Sequence, residues 1–163
     1  MGKSRIRRRR HAVSVSLVAA GAVIGGGLLV LSAPGPADAR GPAYADTATN
    51  CRVVDGDTLH CDGGRIRLLG IDAPELPGHC AVGRDCAPGD PYESTRSLSD
   101  GLGDGARVRV ENAGTDRYGR TLAMVMGRRG DLSCWQLQHH AAIYKPRWDN
   151  DGRVAALCPS AAR

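Results

Sequence analysis

The chain has 163 residues and a formal net charge of +5, and this charge is concentrated at its N-terminus. Residues 1–39 hold six of the 22 basic residues and one of the 17 acidic residues, which leaves 16 of each sign in the rest of the chain. The composition after residue 39 therefore excludes a globally basic surface, and any attraction to phosphate must come from a local cluster. Phe is absent, so the core must be built from Leu, Ile, Val and a few Tyr and Trp.

The N-terminal segment has the order of a secretory signal peptide. A basic start with Arg7–Arg10 precedes an apolar run over residues 12–31, and cleavage sites follow after Ala39 or Ala45. We assign residues 1–39 to the signal peptide, 40–50 to a linker and 51–163 to one domain, and we expect a secreted protein. The alternative is an uncleaved membrane anchor, because an apolar run of about 20 residues can span a bilayer.

The predicted elements favour a mainly β protein with helices, of the α+β class. A turn at Asp55-Gly56-Asp57 makes the first two strands a hairpin. Five short strands with a helix between the third and fourth suggest a small closed barrel of the oligonucleotide-binding type, although composition alone also allows a sandwich. The predicted strands are 51–54, 58–61, 65–69, 107–111 and 120–126; the predicted helices are 92–102, 132–142 and 151–162, the last interrupted by Pro159.

Three motifs carry the functional signal: Asp55-Gly-Asp57-Thr58, Arg67-Leu-Leu-Gly-Ile-Asp72-Ala-Pro-Glu75 and Asp116-Arg-Tyr-Gly-Arg120. Their carboxylates suggest that three acidic groups meet around one hard cation, which prefers oxygen ligands. Their arginines suit a phosphodiester, because a guanidinium fork matches the charge that develops on phosphate oxygens. The alternative for the first motif is a simple polar turn, since such residues are common in turns.

In residue types, spacing and order, these motifs resemble the thermonuclease family, the secreted calcium-dependent nucleases typified by staphylococcal nuclease. The resemblance covers residues 51–148 and implies a five-stranded OB-fold barrel. It implies hydrolysis of DNA and RNA with little sequence specificity, leaving 3′-phosphate ends, and we expect a monomer without a protein partner. The positions that match the family's Ca²⁺ ligands are Asp57, Asp72 and the backbone carbonyl of Ala73; Asp55 is expected to support these ligands without binding the ion directly. The positions that match its catalytic residues are Arg67, Glu75 and Arg120.

The resemblance also implies substrate contacts, with two departures from the family pattern. Arg117, Tyr118, Tyr144 and Lys145 match substrate-binding positions, and the Lys145–Pro146 bond is often cis in the family. However, Ala142 stands where the family has a second tyrosine, and the C-terminal helix is short. The alternatives are a non-catalytic oligonucleotide-binding domain, or a disulfide domain that is anchored in the envelope or purely structural.

Six cysteines after a signal peptide indicate disulfides. A hairpin centred on Gly56 places Cys51 opposite Cys61, Cys80 and Cys86 close a small loop, and Cys134 and Cys158 remain. The alternative is a zinc site through histidine, which no Cys-x-x-Cys pair supports; its candidate ligands are His60, His79, His139 and His140. The segment 149–152 looks like part of a calcium loop but lacks two required ligands, so we interpret it as a turn.

Overall fold

The computed structural model describes residues 42–104 and 107–163, which belong to one compact unit. The predicted signal peptide, residues 1–39, lies outside the described residues. In the part of the chain that is described, no helix is long and apolar enough to cross a membrane.

The architecture is mixed α+β, with a curled, half-barrel main sheet in the order β1-β6-β7-β4-β3-β2 and with β8 added to β7. Neighbouring strands run antiparallel except β4 and β7, which are parallel. A separate two-stranded ribbon pairs β5 with β9. The strands are β1 Asp46–Ala48, β2 Arg52–Asp55, β3 Thr58–Cys61, β4 Gly64–Leu68, β5 Ile71–Asp72, β6 Val108–Thr115, β7 Thr121–Gly127, β8 Gly130–Asp131 and β9 Ile143–Tyr144.

This sheet is consistent with an OB-like fold. Within residues 42–104 and 107–163, no pairing joins the edge strands β1 and β2, so the closed five-stranded barrel stays a prediction. Strand β1 lies in the segment that the sequence assigned to a linker, and it pairs with β6 from Asp46 opposite Val110. The interpretation of residues 40–50 as a linker does not anticipate this strand, because a short polar segment shows its strand character only through its partner.

Three helices, α1 Pro91–Leu102, α2 Leu132–Gln138 and α3 Arg153–Leu157, cover the core. Asp90 and Asp131 cap α1 and α2 by accepting hydrogen bonds from backbone amides of the first turn. Helix α2 ends at Gln138, four residues before the predicted end. His140, two residues further on, has a positive φ of 52°. Helix α3 is shorter than predicted because Cys158 precedes a proline and leaves the helical conformation.

The core lies between the curled sheet and the helices. Its fully buried hydrophobic side chains are aliphatic or methionine, as a chain without Phe requires, and include Leu59, Leu68, Leu98, Met124 and Leu132. Deep burial of these side chains supplies most of the hydrophobic stabilisation, at about 1.5–3 kcal/mol each.

The structure contains three disulfides, Cys51–Cys61, Cys80–Cys86 and Cys134–Cys158, the same pairs that the sequence predicts. The hairpin register is also as predicted for Arg52 opposite His60, before a bulge at residues 53–55 shifts the pairing by one. Three disulfides are typical of an extracellular or otherwise oxidising location.

Candidate active site

A buried cluster of charges lies where the β2–β3 hairpin, β4 and β5 meet. Arg67 on β4 forms ion pairs with Asp57, which follows the hairpin turn, and with Asp72 on β5, where the Nη2–Oδ1 distance is 3.4 Å. Arg67 also donates a hydrogen bond to the carbonyl of Ile71 at 3.1 Å. The two carboxylates are 3% and 0% exposed and the arginine 9%, so these three side chains are held in a nearly water-free position.

The hairpin turn fixes Asp57 from several sides. Its Oδ2 accepts a hydrogen bond from the backbone amide of Ala73 at 2.9 Å, and its Oδ1 accepts one from the Thr58 hydroxyl at 3.0 Å. Asp55 in turn accepts a hydrogen bond from the Asp57 amide at 3.2 Å. The structure therefore brings Asp55, Asp57, Asp72 and Ala73 together, as the sequence analysis expected of these four.

Behind the turn, the buried side chain of Gln136 donates hydrogen bonds to the carbonyls of Gly56, at 2.7 Å, and Ser94, at 3.0 Å. A Cβ at Gly56 would lie 1.9 Å from the Ser94 hydroxyl oxygen, so this position admits only glycine. Helices α1 and α2 thus support the turn that presents Asp57. The sequence analysis missed Gln136, since nothing in its local pattern distinguishes it from a surface glutamine.

Arg120 faces the same cluster. It precedes β7, which runs parallel to β4 with Thr121 opposite Ile66. Burial and then the charge of Arg120 lower the pKa of Arg67 from its usual value, while Asp72 and Asp55 oppose this shift. Asp116 orients Arg120 by accepting hydrogen bonds from its Nε, at 2.7 Å, and its backbone amide, at 3.0 Å.

Arg84 is a site residue that the sequence analysis did not identify. Its Nη2 lies 2.6 Å from Asp72 Oδ1, and its Nη1 lies 2.9 Å from Glu75 Oε1. Arg84 comes from the loop that the Cys80–Cys86 disulfide closes. The sequence indicated a small loop closed by Cys80 and Cys86, but no spacing indicated that one of its arginines reaches the carboxylates.

The carboxylate cluster offers some of the oxygen ligands that a hard cation needs. Among the described residues, Asp72 Oδ2 is buried without a hydrogen-bond partner, and Lys145 Nζ lies 3.9 Å from it. In the described segments, no three His, Cys, Asp or Glu side chains form a group that could hold a metal ion. The expectation that three carboxylates meet around one cation is thus corrected, because Glu75 is engaged by Arg84. Two aspartates and one carbonyl remain, a set that Ca²⁺ can complete with water and substrate oxygens.

Two of the predicted substrate-binding residues lie on an exposed turn beside Arg120. Tyr118 is 67% exposed, and its hydroxyl accepts a hydrogen bond from Arg117 at 2.6 Å. The guanidinium carbons of Arg117 and Arg120 lie 4.8 Å and 5.4 Å from the Tyr118 ring centre. Such a turn presents cations and an aromatic face together.

Tyr144 is held by the protein itself. Its hydroxyl donates a hydrogen bond of 2.7 Å to Asp149, and burial together with this carboxylate raises the pKa of Tyr144 to about 12. Asp149 also accepts hydrogen bonds from the amides of Val154 and Ala155 at the start of α3. The segment 149–152 is therefore a structural turn, in agreement with the sequence interpretation.

Lys145 points towards the cluster, and its bond to Pro146 is trans rather than cis. Pro146 begins a short 3₁₀ turn, Pro146–Trp148, that places Trp148 beside the cluster. The Trp148 ring centre lies 5.5 Å from the guanidinium carbon of Arg67 and 5.6 Å from that of Arg84. Trp148 was also missed by the sequence analysis, because a single tryptophan shows no pattern.

Similarity searches give three curated relatives. The chain is 33% identical over 105 residues to the succinoglycan biosynthesis protein ExoI of Rhizobium meliloti, which covers 64% of this chain and 54% of the relative. It is 34% identical over 109 residues to an uncharacterized endonuclease of Haemophilus influenzae, covering 62% and 55%. It is 34% identical over 102 residues to the protein ParB of Escherichia coli, covering 60% and 48%. The chain spans about half the length of these relatives, and no family model matches it.

Proposed function

We propose that this chain is a secreted, calcium-dependent nuclease of the thermonuclease type, built on an OB-fold barrel. It would act as a monomer on phosphodiester bonds of DNA and RNA. The observation that carries the proposal is the buried arrangement of Arg67 between Asp57 and Asp72, with Arg120 facing it and one Asp72 oxygen left without a hydrogen-bond partner. Side chains that only stabilise a core have no use for such a set, because burying charges costs free energy.

The charge balance of the cluster supports a cation. The positive groups of the cluster are matched or outnumbered by carboxylates, so the side chains alone leave no positive surplus to attract phosphate. Four cations face five acids: Arg67, Arg84, Arg120 and Lys145 against Asp55, Asp57, Asp72, Glu75 and Asp116. A divalent ion held by Asp57, Asp72 and the carbonyl of Ala73 would give a local surplus of positive charge. When bound, Ca²⁺ would polarise a phosphate oxygen.

The residues of the chain would supply the remaining chemistry. Arg67 and Arg120 would stabilise the negative charge that builds up on the phosphate oxygens. Glu75 would accept a proton from the attacking water while the water oxygen bonds to phosphorus. The bond between phosphorus and the 5′ oxygen then breaks, the 5′ oxygen takes a proton from solvent, and the phosphate stays on the 3′ end.

Glu75 is available for this role only after a local change. One of its oxygens is bound by Arg84, and its side chain is 26% exposed. Since Arg84 comes from a surface loop, it can leave Glu75 when a phosphate offers a better partner. We therefore expect substrate binding to free the general base.

The relatives and the cysteines support this proposal at a coarser level. One of the three relatives is called an endonuclease, which favours a hydrolase that acts on nucleic acid. The three disulfides favour an oxidising location, and the predicted signal peptide provides a route to it. Little sequence specificity is expected, because the cluster offers groups for phosphate and none arranged to read base edges.

The test is digestion of single-stranded DNA and RNA by the oxidised domain, with calcium and with a chelator. We expect calcium-dependent cleavage that Glu75→Gln reduces by roughly 10²-fold or more. Glu93→Gln is the matched control, since Glu93 is an exposed acid on α1 that pairs with Arg96. Binding without cleavage under any divalent ion would instead favour the non-catalytic oligonucleotide-binding domain.

A further inference from the structure

We propose that Arg84 and Trp148 form a nucleotide subsite beside the reacting phosphate, in which Arg84 binds a neighbouring phosphate and Trp148 stacks on the attached base. This inference rests on the proposed nuclease function and extends it to the substrate strand. Neither residue belongs to the motifs from which the function was argued, and the two lie together through the fold alone.

Arg84 is positioned to exchange partners. Its side chain is 36% exposed, although its guanidinium contacts both Asp72 and Glu75. An arginine has five N–H donors in a planar fork, so two carboxylate contacts leave donors free for an incoming oxygen anion. If a cation occupies Asp72, the two positive charges compete for the carboxylate, and Arg84 is then better satisfied by phosphate.

The loop that carries Arg84 is restrained enough to deliver it to one place. The Cys80–Cys86 disulfide joins two cysteines that are six positions apart in the sequence. Within it, the Arg84 amide donates a hydrogen bond to the carbonyl of Ala81 at 3.0 Å. A restrained loop loses less conformational freedom when a ligand binds, which favours binding.

Trp148 presents an aromatic face that the core does not use. It is 40% exposed, and its backbone is fixed at both ends: its amide donates to the carbonyl of Lys145 at 2.9 Å, and its carbonyl accepts from Gly70 at 2.9 Å. The next residue, Asp149, is buried and capped into α3. The backbone of Trp148 is thus fixed at the surface, which favours its ring as a stacking platform for a base.

Two other positions for a base contact are weaker in this chain. Tyr144 has its hydroxyl bound to Asp149, and Ala142 has no ring. By contrast, the Trp148 ring lies within 5.6 Å of the guanidinium carbons of both Arg67 and Arg84. A base on this ring would have its flanking phosphates near two arginines, which is the arrangement of a single-strand binding groove.

The test compares two single-stranded oligomers of equal length in the presence of calcium, with every variant made in the Glu75→Gln background, where cleavage is slowed. One is oligo(dT), and the other carries abasic spacers with the same phosphates. Trp148→Leu keeps apolar bulk without an aromatic face; we expect it to raise the Kd for oligo(dT) by roughly fivefold or more and to leave the Kd for the abasic oligomer unchanged. Trp148→Phe should retain most of the affinity for oligo(dT).

Arg84→Gln should weaken binding of both oligomers and lower the slope of log K against log salt by about 0.7. Arg84→Lys should preserve most of that slope because it keeps the charge. Arg96→Ala is the control, since Arg96 is an exposed arginine on α1 that pairs with Glu93. A thermal melt of each variant shows whether it remains folded under the binding conditions.

The outcomes separate the subsite from the function on which it rests. If the wild type binds and cleaves but Trp148→Leu and Arg84→Gln bind like Arg96→Ala, the subsite is overturned and the nuclease stands. Equal losses on both oligomers for Trp148→Leu would also overturn the stacking role. If the wild type neither binds nor cleaves with calcium, the proposed function itself fails.

Discussion

Arg67→Ala tests whether the buried charges are a cation site. The change leaves Asp57 and Asp72 buried with one positive neighbour fewer. Breaking a buried ion pair in this way costs about 3–5 kcal/mol. Both acids keep other partners, because Asp72 retains Arg84 at 2.6 Å and Asp57 retains the hydroxyl of Thr58 at 3.0 Å. We therefore expect the low end of the range, about 3 kcal/mol.

Calcium should restore much of this loss. Once Arg67 is gone, a cation at Asp57 and Asp72 no longer meets a competing positive charge, so calcium should bind the variant more tightly than the wild type. A ligand at about 100 times its Kd stabilises the folded state by about 2.7 kcal/mol. Calcium should thus raise the unfolding free energy of the variant by more than that of the wild type, whereas activity should not return.

The assay is urea unfolding with calcium and with chelator, and Arg65→Ala is the matched control. Arg65 lies two residues before Arg67 on β4 and is exposed. If calcium shifts neither the wild type nor Arg67→Ala, Asp57 and Asp72 do not hold calcium. If Arg67→Ala costs no more than Arg65→Ala, the ion pairs add nothing to stability and the reasoning from burial is refuted.

Three further predictions concern the supports of the site. Replacing Cys134 and Cys158 together by Ala should lower the unfolding free energy by about 3.5 kcal/mol, since the bridge spans 24 residues; an unchanged thermal midpoint would contradict it. Hydrogen bonds from the Arg120 and Tyr118 amides lower the pKa of Asp116 although desolvation opposes them. The stabilisation from ionised Asp116 is present above the unfolded pKa of about 3.9 and is lost as pH falls through the lower folded pKa. Asp116→Asn should therefore be less stable than the wild type at pH 6, and the difference in unfolding free energy should shrink at pH 3. Gln136→Leu should cost about 1–3 kcal/mol and weaken calcium binding, whereas Gln138→Ala, on the exposed end of α2, should do neither; equal calcium affinity in both would show that Gln136 does not position the turn.

Local parts of the fold could be predicted from the sequence. The pairing of Cys51 with Cys61 follows from the register of one hairpin, and the structure has Arg52 opposite His60 as that register requires. The strand that carries Arg67 and the strand that follows Arg120 were also predicted to within one residue at each end. Each of these features depends on neighbours that are close in the chain, where turn residues and alternation act directly.

The parts that were missed depend on distant partners. Strand β1 forms by pairing with β6, with Asp46 opposite Val110, and a polar linker sequence does not predict this pairing. Residues two apart on a strand share a face, and Arg65 is exposed, yet Arg67 is buried because β5 and the turn before β3 cover it. Arg84 reaches Asp72 from twelve residues away through a loop whose path no periodicity encodes.

The elements that surround the candidate site are short and irregular. Strands β5 and β9 have two residues each, and Trp148 ends a three-residue turn. Such short pieces bury little apolar area and cannot fix side chains by packing alone. Here a disulfide closes the hairpin of Asp57, another closes the loop of Arg84, and the third ties α2 to the C-terminal segment. Buried ion pairs rarely add stability over an apolar core, so their concentration at this point argues that the charges are kept for a ligand. Disulfides nearby let a small domain tolerate that cost and still hold the cluster in one geometry.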